Sequence, residues 1–263
     1  MKKLAYTFIL LTAMMGTSVV TMATLPPTTE KTQEVSTAKS DKTTEASKET
    51  TTKKQENKSK IVNTKVKTAD EAIALLKQGN ERFVKDQSEQ INISSEKRTE
   101  LKNGQEPYAV VISCSDSRVT PSHVFNAGLG ELFEIRVAGN ILDDMALGSV
   151  EYGVEHLGCP VIVVMGHECC GAVTATYDAV TKKQKVEGHI SSIVKEITPS
   201  IEATKASSIE DASHENVHHV MEQIKEDKII ASLIKEGKVK VVGAYYTLDG
   251  KVTFLDENTK ETK

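Results

Sequence analysis

Cys114-Ser-Asp116-Ser-Arg118 and His167-Glu-Cys169-Cys170-Gly171 carry the residue types that hold a transition metal and work beside it. Each segment follows an apolar, β-branched run, residues 108–113 in one case and 161–166 in the other, so each is predicted to end a buried strand. In an open parallel sheet the carboxyl ends of neighbouring strands share one edge, where ligands bind. Segments more than fifty residues apart therefore meet in one cleft. Two thiolates and an imidazole suit zinc. A structural zinc is normally closed by four protein ligands, whereas three ligands and a vacancy match the catalytic Cys2His arrangement. Asp116 stands two residues past one cysteine and two before Arg118, which sets a carboxylate and a guanidinium beside the metal.

The elements that must position these segments can be read in turn. Thr68-Ala-Asp-Glu71 is a capping box, opening a helix through Lys85 with Ala72, Leu75, Leu76 and Phe83 on its apolar face. Strands are predicted over 108–113, 132–137, 161–165 and 239–244, with helical patterns between most of them. Residues 145–157, carrying Ala146, Val150, Tyr152, Gly153 and Val154, form a crossover helix that Gly158 stops. One or two helices follow over 216–234, then a strand, a Leu248-Asp-Gly250 turn and an antiparallel last strand over 251–255. The fold class is α/β: a mostly parallel β-sheet flanked by helices, with an antiparallel final strand.

Length and charge bound the rest. The 263 residues suit one ordinary domain plus extras, and a formal net charge of -4 leaves no basic footprint for nucleic acid. Lys2 and Lys3 precede an uncharged stretch from 4 to 25, the pattern of a secretory signal; it is also long enough to stay as a membrane anchor. Residues 26–67 are rich in Thr, Lys, Glu and Ser, with no aromatic residue and no Gly, and are expected to form a disordered linker. The catalytic domain is expected over 68–263, exported and either secreted or tethered at the outer face of the membrane. Of the four cysteines, Cys169 and Cys170 are adjacent and Cys159 opens an apolar strand, an arrangement that argues against structural disulfides.

Cys-x-Asp-x-Arg after one strand and His-x-x-Cys-Gly after another resemble the signature of the β-class carbonic anhydrases. The likeness extends through Gly104-Gln105, Phe133-x-x-Arg136, Ala138-Gly-Asn140, Gly148-Ser-x-Glu-Tyr152 and Gly243-Ala-x-Tyr246, spanning residues 68–256. It implies that Cys114, His167 and Cys170 bind one zinc ion per subunit, which leaves Cys169 as a packing residue or an oxidisable thiol. Zinc lowers the pKa of its water towards neutrality, as in the three-histidine carbonic anhydrases, and the resulting zinc-bound hydroxide would convert carbon dioxide reversibly to bicarbonate and a proton.

By the same resemblance Arg118 holds Asp116, which accepts the hydroxide proton and orients the attack; in closed members that Asp swings onto the zinc instead. Gln105 would donate to a substrate oxygen and Gly171 would offer a backbone amide. Phe133, Ala138 and Tyr152 would line an apolar pocket completed by a neighbouring subunit, so a homodimer or a tetramer of dimers is expected, with no other specific protein partner. Where many members carry Asn after the middle Arg, this chain has Val137, whose side chain offers no hydrogen bond. Competing readings are hydrolysis of carbon disulfide or carbonyl sulfide by the same nucleophile, a surface binding protein with a closed structural zinc, and a thiol redox protein using Cys114 and Cys170. His214 and His218, one helical turn apart, are a weaker metal pair on a solvated face.

Overall fold

The computed structural model describes residues 66–255; the expected signal or anchor and the expected linker up to residue 65 lie outside the described residues. In chain order the described elements are α1 (Ala69–Val84), α2 (Ser95–Glu100), β1 (Ala109–Ser113), α3 (Pro121–Val124), β2 (Leu132–Arg136), α4 (Asp144–Glu155), β3 (Val161–His167), α5 (Gly171–Thr181), α6 (Ile190–Ala203), α7 (Ile209–Glu226), α8 (Lys228–Lys235), β4 (Lys240–Tyr246) and β5 (Val252–Leu255). The strands form one sheet in the order β2-β1-β3-β4-β5, parallel except for the β4–β5 pair. The antiparallel ending agrees with the Leu248-Asp-Gly250 turn, where Gly250 takes φ 103°. No helix of the described residues is long and apolar enough to cross a membrane.

Strand periodicity assigns the core. Val110, Ile112, Ile162 and Val164 face one side of the sheet, under α4, α7 and α8, while Ala109, Val111, Val163 and Met165 face the other, against α1 and α3. Alternate residues point to opposite faces, so β1 and β3 are buried on both and read as continuous apolar runs. A third apolar cluster, with Ile141, Val173, Ile197, Ile201 and Ala212, packs around Cys114 and Cys170 at the carboxyl edge.

The Thr68 capping box forms in both directions: Glu71 N donates to the Thr68 hydroxyl, and Thr68 N donates to the Glu71 carboxylate. Ala72 and Leu76 are fully buried, but Leu75 is 38% exposed, contrary to the expected face. It lies about 100° around the helix from Leu76, at the margin of the stripe. Buried Asn80 joins that stripe instead, donating to Val124 O and Gly250 O at 3.1 and 2.8 Å and accepting from Val252 N at 2.8 Å. The helix expected from residue 216 begins at Ile209, where Ser208 caps it by accepting from Asp211 N. Its first turn is acidic and polar, so apolar periodicity alone understates its length.

Candidate metal centre

The chain leaves β1 for β2 on one side and returns across it to β3 on the other. That reversal between β1 and β3 is the topological switch point, where an open sheet leaves a crevice beyond its carboxyl ends. Cys114 follows β1, His167 ends β3, and Cys170 caps the start of α5. Their ligand atoms all lie within 4.8 Å of one another, and all three residues are buried. A single ion with bonds of about 2.0–2.3 Å closes such a span with little movement.

The donor chemistry fits zinc. His167 Nδ1 lies 2.8 Å from Glu168 O, and because a carbonyl can only accept, that nitrogen carries the proton. Nε2 then keeps its lone pair; it is buried without a hydrogen-bond partner, the state expected of a ring nitrogen reserved for a metal. The hydrogen bond with Cys170 holds the Cys114 thiol well below its usual range, against the opposing effect of burial. The same pairing, and then burial, push the Cys170 thiol up. Amides of Gly139 and Asp116 lie 3.2 and 3.4 Å from Cys114 Sγ.

Asp116 sits beside this cluster, its backbone amide on Cys114 Sγ at 3.4 Å and its carboxylate on Arg118. Arg118 Nε donates to Asp116 Oδ1 at 2.9 Å and its terminal nitrogen donates to Oδ2 at 2.7 Å, a two-point fork that holds the carboxyl well below the usual carboxylate range. Arg118 also reaches Cys169 O at 3.4 Å, joining the two loops. Arg136 braces the first loop from beneath, donating to Asp116 O at 2.9 Å and Cys114 O at 3.4 Å. The Asp116 carboxylate is thus held by Arg118 and is not one of the three residues that cluster.

The remaining sequence candidates divide into two groups. Gly171 is the exposed first residue of α5, with open space where a side chain would stand, and Ala138 opens the short 3-10 turn Ala138–Asn140 beside Cys114. Phe133, Tyr152 and Gln105 are not brought to the cluster of the same chain. Phe133 pairs with Val110, four residues before Cys114 and so about 13 Å down the strand. Its ring lies 6.0 Å from that of Tyr152. Gln105 is exposed ahead of β1, at the end opposite Cys114. Cys169 is an exposed free thiol at φ 55° rather than a packing residue, and Cys159 is buried with its thiol on Pro107 O. His214 stacks on Tyr245 at 3.9 Å. Sequence reading missed the bracing role of Arg136 and the burial of Ser200 and Asn216, which stand among polar and charged residues in the chain and so left no local signal.

A family model described as Carbonic anhydrase matches residues 109–252. Carbonic anhydrase 2 of Mycobacterium tuberculosis is 36% identical over 186 residues, 69% of this chain and 90% of that protein. The carbonic anhydrase of Mycolicibacterium smegmatis is 38% identical over 182 residues, 67% of this chain and 88% of that protein. A solved Coccomyxa β-carbonic anhydrase in complex with acetazolamide aligns with a TM-score of 0.55 at 27% identity, over 72% of this chain and 87% of that one. A tetrameric β-carbonic anhydrase of the ascomycete Sordaria macrospora shares the fold, with a TM-score of 0.54 at 21% identity, over 60% of this chain and 85% of that one.

Proposed function

The chain belongs to the β-class carbonic anhydrases, zinc lyases that interconvert carbon dioxide and bicarbonate, and on that premise we propose how its own residues divide the work. The observation that carries the reading is the meeting of Cys114, His167 and Cys170 within 4.8 Å, with His167 Nε2 buried and unsatisfied. These three hold the zinc, which when bound supplies an acidified water as nucleophile at neutral pH. Arg118 keeps Asp116 ionised and fixed in one orientation, so that a carboxylate oxygen can accept a hydrogen bond at the cluster and orient the group that donates it. The Gly171 amide, at the exposed start of α5, stands ready to donate to a substrate oxygen.

The apolar lining of the pocket is assigned across a two-fold interface. Met145 is 82% exposed and Tyr152 48% exposed on α4, and Phe133 lies against Tyr152. We assign this surface to a homodimer contact, through which Gln105, Phe133 and Tyr152 serve the partner's site; oligomers with apolar contacts of this kind are commonly two-fold. The size of the assembly beyond a dimer would be read by light scattering. Export rests on the leader sequence, and N-terminal sequencing of protein from fractionated cells tests both secretion and cleavage.

The decisive experiment on the activity is stopped-flow carbon dioxide hydration measured beside zinc content on the purified chain. One zinc per subunit with catalysed hydration is the expected result. Zinc without hydration would sink the assignment of roles, and hydrogen sulfide released faster from carbon disulfide than bicarbonate is formed would move the substrate.

A further inference from the structure

We infer that Asn216, on α7, is a positioning residue for the Cys114 thiolate, acting through the backbone of Gly139. The inference rests on the reading of Cys114 as a zinc ligand. Gly139 N is one of the two amides on Cys114 Sγ, and it holds that place only because Gly139 adopts φ 75°, ψ 19°. On one side the residue is pressed against α5 and α6: a Cβ there would stand 2.6 Å from Ile197 Cδ1 and 3.0 Å from Ala172 Cβ. On the other side Asn216 Nδ2 donates to Gly139 O at 2.9 Å, across 77 positions of sequence. Ser200 Oγ donates in turn to Asn216 Oδ1 at 3.3 Å.

The direction of this relay is fixed by chemistry. Gly139 O can only accept, so the amide must present its nitrogen to it, which leaves Oδ1 for the Ser200 hydroxyl. Both side chains are 1% exposed, and their neighbours on the same face, Ala212, Val217, Ile197 and Ile201, are apolar. An amide buried in such a setting is costly unless it is bonded. Here its bond goes to the turn that touches the sulfur. Every N–H aimed at a thiolate draws charge from it, so less reaches the metal, and outer partners of this kind orient and tune metal ligands. Asn216 therefore sets how much charge Cys114 gives up, without touching metal or substrate.

The test uses the full chain loaded with cobalt in place of zinc, because the sulfur-to-cobalt charge-transfer band reports charge on the sulfur. Asn216→Leu removes the donor at nearly constant volume, and Ser200→Ala frees the amide to turn. Both variants should still take up one cobalt per subunit, with the band displaced to longer wavelength, further for Asn216→Leu. A merely structural Asn216 would lower thermal stability and leave the band in place, and an unmoved band in the folded variants overturns the inference. Should Asn216→Leu fail to fold, the band of Ser200→Ala decides alone. Unsubstituted protein that takes up no cobalt would refute the zinc site itself, a separate failure.

Discussion

The two ends of the same central strands differ in how completely their polar groups are satisfied. At the amino ends of β3 and β4 lies a groove of about 870 Å³, lined by Val154, Cys159, Ile234, Val239 and several lysines. Three of its four lysines are answered nearby: Lys240 by Asp70 at 3.0 Å, Lys225 by Glu222 at 3.1 Å and Lys238 by Glu236 at 2.7 Å. At the carboxyl ends a buried imidazole nitrogen has no partner, two buried thiols lie within 4.8 Å of each other, and Gly139, Asn140 and Cys169 all take positive φ. Unmet bonding capacity and backbone strain point to the second end, and such features persist where a ligand or a reaction makes use of them.

The sharpest way to break this contrast is to remove the unmet capacity. Cys114→Ser, His167→Ala and Cys170→Ser should each lose zinc and reduce hydration to background, a fall beyond the roughly 100-fold that loss of an outer partner causes. Zinc content and stopped-flow rates check it; retention of stoichiometric metal by any of the three would remove that residue from the ligand set. Next in size, Asp116→Ala should keep its zinc while turnover drops about 100-fold, the upper end of what loss of an orienting partner beside a metal costs. Equal turnover in that variant would reduce the Asp116–Arg118 pair to a loop brace.

The same contrast explains what the sequence disclosed. Cys114, Asp116, Arg118, His167 and Cys170 were legible because each follows a continuous apolar strand, and strand ends are where a parallel sheet exposes chemistry. The α1 start, the α4 crossover and the final hairpin were legible for a similar reason, since capping boxes, glycine stops and turn residues are local signals. What stayed hidden is long-range. Asn80 ties α1 to a turn 170 positions away, and Asn216 meets Gly139 across 77. Neither contact leaves a local mark in the sequence. Leu75 failed for the opposite reason: it has the right residue type, but its angle around α1 puts it at the edge of the buried stripe. Phe133 and Tyr152 fall in the matching motifs yet lie away from the cluster of their own chain, because a motif's place in the sequence does not fix how far down a strand or helix it falls.

A smaller effect sharpens the comparison at the strained end. Gly139→Ala would put a Cβ on a left-handed backbone, worth about 1–2 kcal/mol, and drive it towards the buried Ile197 side chain. Destabilisation of about 2–3 kcal/mol in urea unfolding is expected, since repacking a filled core adds to the backbone cost. A change within about 0.5 kcal/mol, the usual range for an unremarkable surface site, would mean that the turn relaxes freely and stores no strain.

The smallest effect belongs to the satisfied end. Lys240 and Asp70 make a 3.0 Å ion pair, but their side chains are 48% and 84% exposed, so water screens the attraction and ordering two flexible chains offsets much of it. Lys240→Ala should therefore shift unfolding by no more than about 0.5 kcal/mol and leave zinc content and hydration unchanged. The value of the experiment lies in its expected silence. Lys240 opens β4, whose far end pairs Tyr246 with His167. A rigid, doubly buried sheet transmits no change along seven residues of strand when a solvated charge is removed, whereas an altered zinc content would show that the ligand edge depends on tension from the opposite end.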